Sequence, residues 1–210
     1  MAGEDLEKEK IKKETKELEK KLKFQGKLSW DLLDEQEKEE TFRFAAGYKT
    51  FLNRAKTERE AVREIAQASK EAGFQEACSP GAGKRFFAVN KEKSIALALI
   101  GQAPLAEGLR IIVSHIDSPR IDLKQNPLYE DADMALLRTH YYGGIKKYQW
   151  VTIPLSLHGL IVKADGSILN VVLGEDEADP VFVINDLLPH LSGKIQDQKK
   201  LAEAIEGERL

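Results

Sequence analysis

Leu109-Arg-Ile-Ile-Val113-Ser-His115-Ile-Asp117-Ser-Pro119 sets a short, mostly apolar run directly before a histidine, a carboxylate and a proline. A run of that composition reads as a strand buried inside a sheet. His115 and Asp117 then fall just past its carboxyl end, where open α/β sheets bind their ligands. A neutral imidazole is a good zinc ligand, and a nearby carboxylate can fix its tautomer and raise its basicity. Residues two apart on an extended segment point to the same side, so the pair can serve one site. Pro119 biases Ser118 to an extended conformation. Taken alone, His-x-Asp is also a common hydrogen-bonded structural pair.

On the N-terminal side, Arg85–Val89 and Ser94–Ile100 flank the polar turn Asn90-Lys-Glu-Lys93, the pattern of a hairpin. Gly101 to Gly108 reads as a loop. Thr57-Glu-Arg-Glu60 is a capping box, and Ala61, Val62, Ile65, Ala66, Ala68 and Ala72 follow it at helical spacing. Gly73 is placed to end that helix. A further helix is expected from Ser29 to Lys56. Residues 1–23 are dominated by Lys and Glu, with Leu6, Ile11, Leu18 and Leu22 as sparse apolar positions. They read as a solvated helix, with Glu9–Lys13 and Glu17–Lys21 pairs across one turn. Helix, hairpin and buried strand in this order predict an α/β layered domain.

On the C-terminal side the character changes from about Ile121 onward. Thr152–Val162, the turn Ala164-Asp-Gly-Ser167 and Ile168–Leu173 predict a second hairpin. Val181–Ile184 starts another element, and Asp186–Leu191 and Gln196–Glu206 read as helical or irregular. This half is expected to be a separate, β-rich subdomain.

Composition narrows the function classes. Hydrophobic residues at 42% and charged residues at 32% are those of a soluble globular chain. A net charge of −3, from 32 basic and 35 acidic residues, gives no nucleic-acid footprint. No apolar run approaches the ~20 residues that span a bilayer, and the charged N-terminus lacks a signal-peptide core. Neither a nucleic acid nor a membrane is therefore expected as a partner, and a cytoplasmic location is. Cys78 is the only cysteine, so neither a disulfide nor a cysteine-based zinc site can form within the chain. With no histidine nearby in sequence, Cys78 is a poor nucleophile candidate. Pro80-Gly-Ala-Gly83-Lys84 fails as a phosphate loop, because the spacing is wrong and Arg85 stands where Ser or Thr is needed.

Ser114-His115-Ile-Asp117-Ser-Pro-Arg120, followed by Tyr141-Tyr-Gly143-Gly-Ile145 and Trp150, resembles the aspartyl aminopeptidase and aminopeptidase I family of zinc exopeptidases. Lys70–Phe74, Gly159–Lys163, Asp179-Pro180 and Leu188-Pro-His190-Leu191 extend the likeness over roughly residues 40 to 210. Lys146-Lys-Tyr-Gln149 after the glycine pair is similar to the bacterial branch. The resemblance implies the start of an α/β/α layered metallopeptidase catalytic domain, followed by part of a β-rich oligomerisation domain. Residues 1–120 would hold the N-terminal helices and the first part of the catalytic domain, and 121–210 the accessory, dimerisation domain.

By the same resemblance, His115 matches the first ligand of a two-metal zinc site, with cobalt or manganese as alternative metals. Asp117 matches the carboxylate that orients it. His190 matches a histidine that reaches from the accessory domain toward a neighbouring subunit's active site and contacts substrate. Gly143-Gly144 matches a glycine loop of that domain, whereas His140 and His158 match nothing and are assigned structural roles. The implied activity is removal of N-terminal amino acids from peptides by metal-activated water, in a homo-oligomer built from dimers. The family's downstream ligands, a bridging Asp, a Glu pair, another Asp and a final His, have no counterpart here. Glu175-Asp-Glu177 reads instead as a solvated charge cluster. The chain thus reads as the N-terminal portion of such an enzyme, the alternative being a non-catalytic assembly or interaction module derived from one.

Overall fold

Lysine and glutamate at high density make a helix without burying it: α1 runs Ala2–Leu22, and its Ile11, Leu18 and Leu22 are exposed. The computed structural model describes residues 2–24, 26–77, 83–207 and 210, with side chains from residue 10 onward. The side chains of Leu6 and Glu9, the single cysteine Cys78, and Pro80-Gly81-Ala82 lie outside the described residues. Residues 1–49 form one unit and 50–210 another.

The single helix expected from Ser29 to Lys56 is instead two elements. A 3-10 turn covers Ser29–Leu32, and α2 spans Glu35–Arg54. The break is set by Asp34, whose Oδ1 accepts the Glu37 backbone N–H at 2.8 Å while Glu37 Oε2 accepts that of Asp34 at 2.9 Å. Two orphan donors are satisfied reciprocally, which starts the helix there and not earlier. The Trp30 and Phe42 rings meet edge to face, with centroids 5.6 Å apart.

In the second unit, α3 spans Glu58–Glu71, and its capping box forms as the sequence predicts: Thr57 accepts from Glu60 N–H and Glu60 accepts from Thr57 N–H. The helix ends at Gly73, at φ 81°, where Gly73 N–H reaches Lys70 O and Phe74 N–H reaches Ser69 O. Those two bonds are the Schellman pattern, which requires the left-handed conformation that glycine adopts freely.

After it come β1 (Gln75–Glu76), β2 (Arg85–Asn90) and β3 (Ser94–Leu99), in that order across one sheet. β1 runs parallel to β2, and β2 antiparallel to β3, with Arg85 opposite Leu99 and Asn90 opposite Ser94. α3 packs on β2 and β3, and the core lies between them. There Val62 is 1% and Phe87 2% exposed. Full burial of such side chains stabilises by about 1.5–3 kcal/mol each.

Leu109–Val113 does not form the expected buried strand. It carries no strand assignment, and Ile111, Ile112 and Val113 are 73%, 98% and 87% exposed. The reason is pairing: a strand exists only against a partner, and no described segment supplies one here.

Two hairpins follow. β4 (Arg120–Asp131) and β5 (Met134–Tyr142) pair antiparallel, joined by Ala132 and Asp133, both at positive φ. The register shifts between Leu123 and Leu128, around Asn126 at φ 52° and Pro127, which has no N–H to give a ladder. After the single helical turn α4 (Lys147–Trp150), β6 (Leu157–Val162) and β7 (Ile168–Leu173) pair through six aligned positions. The turn is the one expected: Gly166 sits at φ 82°, and Asp165 Oδ1 accepts the Ser167 N–H at 2.9 Å. β6 begins at Leu157 and not at Thr152, because Leu155 is already committed to a bridge with Phe182. Short helices α5 (Pro189–Ser192) and α6 (Leu201–Ala204) end the order of a mixed α/β chain.

Two stability predictions follow from these contacts. Thr57→Ala should cost about 1 kcal/mol by removing the α3 cap, read as a lower urea midpoint with unchanged slope. Phe87→Ala should cost about 3–5 kcal/mol, because the cavity opens between α3 and the β2–β3 hairpin.

Candidate active site

The hairpin β4–β5 brings the two halves of the site together. Arg120 opens β4 directly opposite Tyr142, which closes β5. Gly143 then turns away at φ 75°, so close to Pro119 that a Cβ on it would stand 3.4 Å from that ring. Residues 115–119 and 142–144 are thereby held side by side.

Asp117 is the meeting point. Its Oδ1 lies 3.0 Å from His115 Nδ1, and its Oδ2 accepts the Tyr142 hydroxyl at 2.7 Å. Its backbone carbonyl is also 3.0 Å from His115 Nδ1. Both oxygens facing Nδ1 are acceptors, so Nδ1 carries the proton and Nε2 presents a lone pair. The imidazole is 83% exposed, and its hydrogen bonds among the described residues are made by Nδ1. The Tyr142 hydrogen bond is the largest influence on the Asp117 carboxyl and lowers its pKa; slight burial opposes this, and the Asp117 backbone N–H and His115 add to the lowering. Tyr142 moves the other way, because its hydroxyl donates to a carboxylate and would lose its proton beside a negative charge.

Arg120 holds the tyrosine. Its guanidinium lies 4.5 Å from the Tyr142 ring centroid, while its Nε donates to Asp122 at 2.7 Å and its Nη2 to Glu58 at 3.2 Å. Such a cation–π contact stabilises by about 0.5–1 kcal/mol where it is partly solvated. Glu58 belongs to the first turn of α3, so the site is tied to the helix through one arginine.

His190 stands exposed on α5 and shares no hydrogen bond or ion pair with His115 or Asp117 among the described residues. His140 Nδ1 lies 3.0 Å from the Tyr141 carbonyl. His158 is more deeply placed. Its Nδ1 meets Glu60 Oε1 at 2.8 Å, and its Nε2 meets Glu175 Oε1 at 3.0 Å and Ser156 Oγ at 3.1 Å. Both ring nitrogens are thus occupied, and the histidine bridges α3 and the β6–β7 hairpin. Glu175 is therefore more than a solvated charge: it accepts from Ser156 at 2.8 Å as well, whereas Asp176 Oδ1 only caps the Ala178 N–H. Among the described residues, no three His, Cys, Asp or Glu side chains converge on a metal position.

Sequence reading singled out His115 and Asp117 but gave no role to Arg120, Glu58 or the Tyr142 hydroxyl. Their signal is the β4–β5 register, and a hairpin whose loop is Ala-Asp and whose first strand contains proline lacks the usual turn residues.

An imidazole held at Nδ1 by a carboxylate is a ring oriented as metal-bound imidazoles are. The family model for aminopeptidase I zinc metalloproteases (M18) matches residues 51–210, and the chain belongs to that family. A probable M18 family aminopeptidase 1 of Clostridium acetobutylicum is 48% identical over 191 residues, covering 88% of this chain and 41% of the relative. The crystal structure of the M18 aminopeptidase of Thermotoga maritima superposes with a TM-score of 0.79 at 42% identity, over 90% of this chain and 41% of that one. Aminopeptidase I of C. acetobutylicum does so with a TM-score of 0.74 at 44% identity, over 90% and 42%. The chain spans about two fifths of the length of these relatives.

A zinc ion needs three or four donors. His115 fits one of them, with a free Nε2 and a carboxylate on its other nitrogen, the arrangement that orients metal-bound imidazoles. Among the described residues it does not belong to any group of three or more His, Cys, Asp or Glu side chains that could hold the ion.

The Glu175 tie makes a pH prediction. Hydrogen bonds from Ser156 first and His158 second lower its pKa, against a smaller opposing effect of burial. A carboxyl depressed in the folded state stabilises fully above its ordinary value of 4.5 and loses that contribution as the pH falls through the depressed value. Glu175→Gln should therefore lower the urea midpoint near pH ~7, and the difference from the parent should shrink as the pH falls below the ordinary carboxylate value of 4.5.

Proposed function

We propose that this chain is the N-terminal portion of a zinc-dependent aminopeptidase that removes N-terminal amino acids from peptides. The observation that carries the reading is the His115–Asp117 pair, with Nδ1 held and Nε2 free, in a chain of the M18 family. His115 is the metal ligand, and Asp117 fixes its tautomer and raises its basicity. His190, exposed on α5, is the residue that reaches a neighbouring subunit's substrate. By the family resemblance, residues 1–120 belong to the catalytic domain and 121–210 to the accessory domain. The two-metal site takes its remaining carboxylate and histidine ligands from outside these residues. Bound zinc, with cobalt or manganese as substitutes, supplies the Lewis acidity that polarises the scissile carbonyl and activates water. The chain's own contribution is to aim one imidazole lone pair and keep a carboxylate behind it.

The test is a chain extended through the length of the M18 relatives. With zinc or cobalt it should hydrolyse aminoacyl-nitroanilides, lose activity to a chelator and regain it on adding metal back. His115→Ala should reduce kcat/KM by about a thousandfold or more, and Asp117→Asn by about 10–100-fold. Metal-independent activity, or His115→Ala equal to the parent, overturns the reading.

A second reading, a non-catalytic assembly module, is favoured by the exposed apolar side chains of β6–β7, Ile161, Val162, Ile168 and Val172 among them. A homo-oligomer built from dimers through this ribbon would be common to both readings. Light scattering on the 210-residue chain decides the point: a strict monomer with no affinity for a full-length relative counts against the module.

A further inference from the structure

Residues 108 to 119 form no strand, and the long segment that carries His115 gains no sheet hydrogen bonds of its own. A histidine on such a segment needs an anchor in regular structure if its ring is to keep one direction. Two recorded side-chain bonds reach residues 114–119 from the hairpin: Tyr142 Oη to Asp117 Oδ2 at 2.7 Å, and Arg120 Nη1 to the Ser118 carbonyl at 3.4 Å. The first is short and ends on the carboxylate that faces His115.

Resting on the reading of His115 as a metal ligand, we infer that Tyr142 is a positioning residue for His115, acting through Asp117. A carboxylate with one oxygen on an imidazole can still swing about its own bond. With the second oxygen held by a phenol, the plane of the group is fixed, and so is the direction of the bond to Nδ1. Held in this way, Asp117 keeps Oδ1 aimed at Nδ1 as an acceptor, which favours the tautomer with the proton on Nδ1 and the lone pair on Nε2.

Tyr142 is itself held on three sides. It closes β5 opposite Arg120, Gly143 turns tightly against Pro119, and the Arg120 guanidinium covers its ring at 4.5 Å. Arg120 is locked in turn by Asp122 and by Glu58 of α3. A route of direct contacts therefore runs from the first turn of α3 to the imidazole: Glu58, Arg120, Tyr142, Asp117, His115. The hydroxyl is the one part of Tyr142 that this route needs and that the packing of its ring does not.

Tyr142→Phe isolates that part, because it keeps the ring under Arg120 and removes the oxygen. The measurement is the long-range proton–nitrogen spectrum of the histidine rings in the 210-residue chain, with His115 assigned from His115→Gln. In the parent, His115 should be mainly the Nδ1–H tautomer at a pH where it is neutral. In Tyr142→Phe the share of that tautomer should fall, although the Asp117 backbone carbonyl still faces Nδ1, while the β4–β5 amide signals stay in place. An unchanged His115 tautomer overturns the inference.

Asp117→Asn supplies the comparison. If Tyr142 acts through Asp117, Tyr142→Phe adds no further change in the Asp117→Asn background, and an added change there overturns the inference. Because the readout is the imidazole and not hydrolysis, it can fail while His115 still proves to be a ligand in the activity assay. It can also hold where that assay fails.

Discussion

The first turn of α3 anchors both hairpins, and it does so with two carboxylates placed two residues apart. Glu60 divides its oxygens between two tasks. Oε2 accepts the backbone N–H groups of Lys56 and Thr57 at the helix start, while Oε1 takes His158 from β6. Glu58 reaches the other way, to Arg120 at the start of β4. A helix N-terminus favours negative charge there in any case. The same charges that start the helix therefore orient the two ribbons that follow it, and Arg63 adds a third tie through Asn170 of β7.

How far the fold could be read from the sequence depended on whether its signals were local. The α3 capping box, the Gly73 stop and the Asp165-Gly166 turn are each decided within a few residues, and each stands where composition places it. The start of α2 was equally local, but its cap is Asp34 with Glu37, and the apolar residues before it draw the helix too far forward. Leu109–Val113 shows the opposite limit. Its composition is that of an inner strand, yet an inner strand is a property of its neighbours, and none pairs with it among the described residues. The site divides in the same way. His115 and Asp117 stand two apart and can be read together, whereas Glu58, Arg120 and Tyr142 meet only after one ribbon and a helix have packed.

The chemistry of the site follows from that division. One nitrogen of His115 is fully committed and the other free, so the histidine offers a directed lone pair. His158, by contrast, has both nitrogens committed to side chains and offers none. The two histidines thus have opposite uses. What separates them is how many ring atoms are already bonded.

The kink in β4 has a further consequence for the solubility of the chain. Two-stranded ribbons leave two open edges, and open edges invite strands of other molecules to add on. The first ribbon is interrupted where Asn126 and Pro127 break the ladder, so its edge offers a stranger no long run of aligned donors. The second ribbon has six aligned pairs without a break, and many of its apolar side chains face solvent. Fibrillar or sheet-like self-association, where it occurs, is therefore set to begin on β6 and β7, and a proline placed midway along that edge would give it the protection that β4 already has.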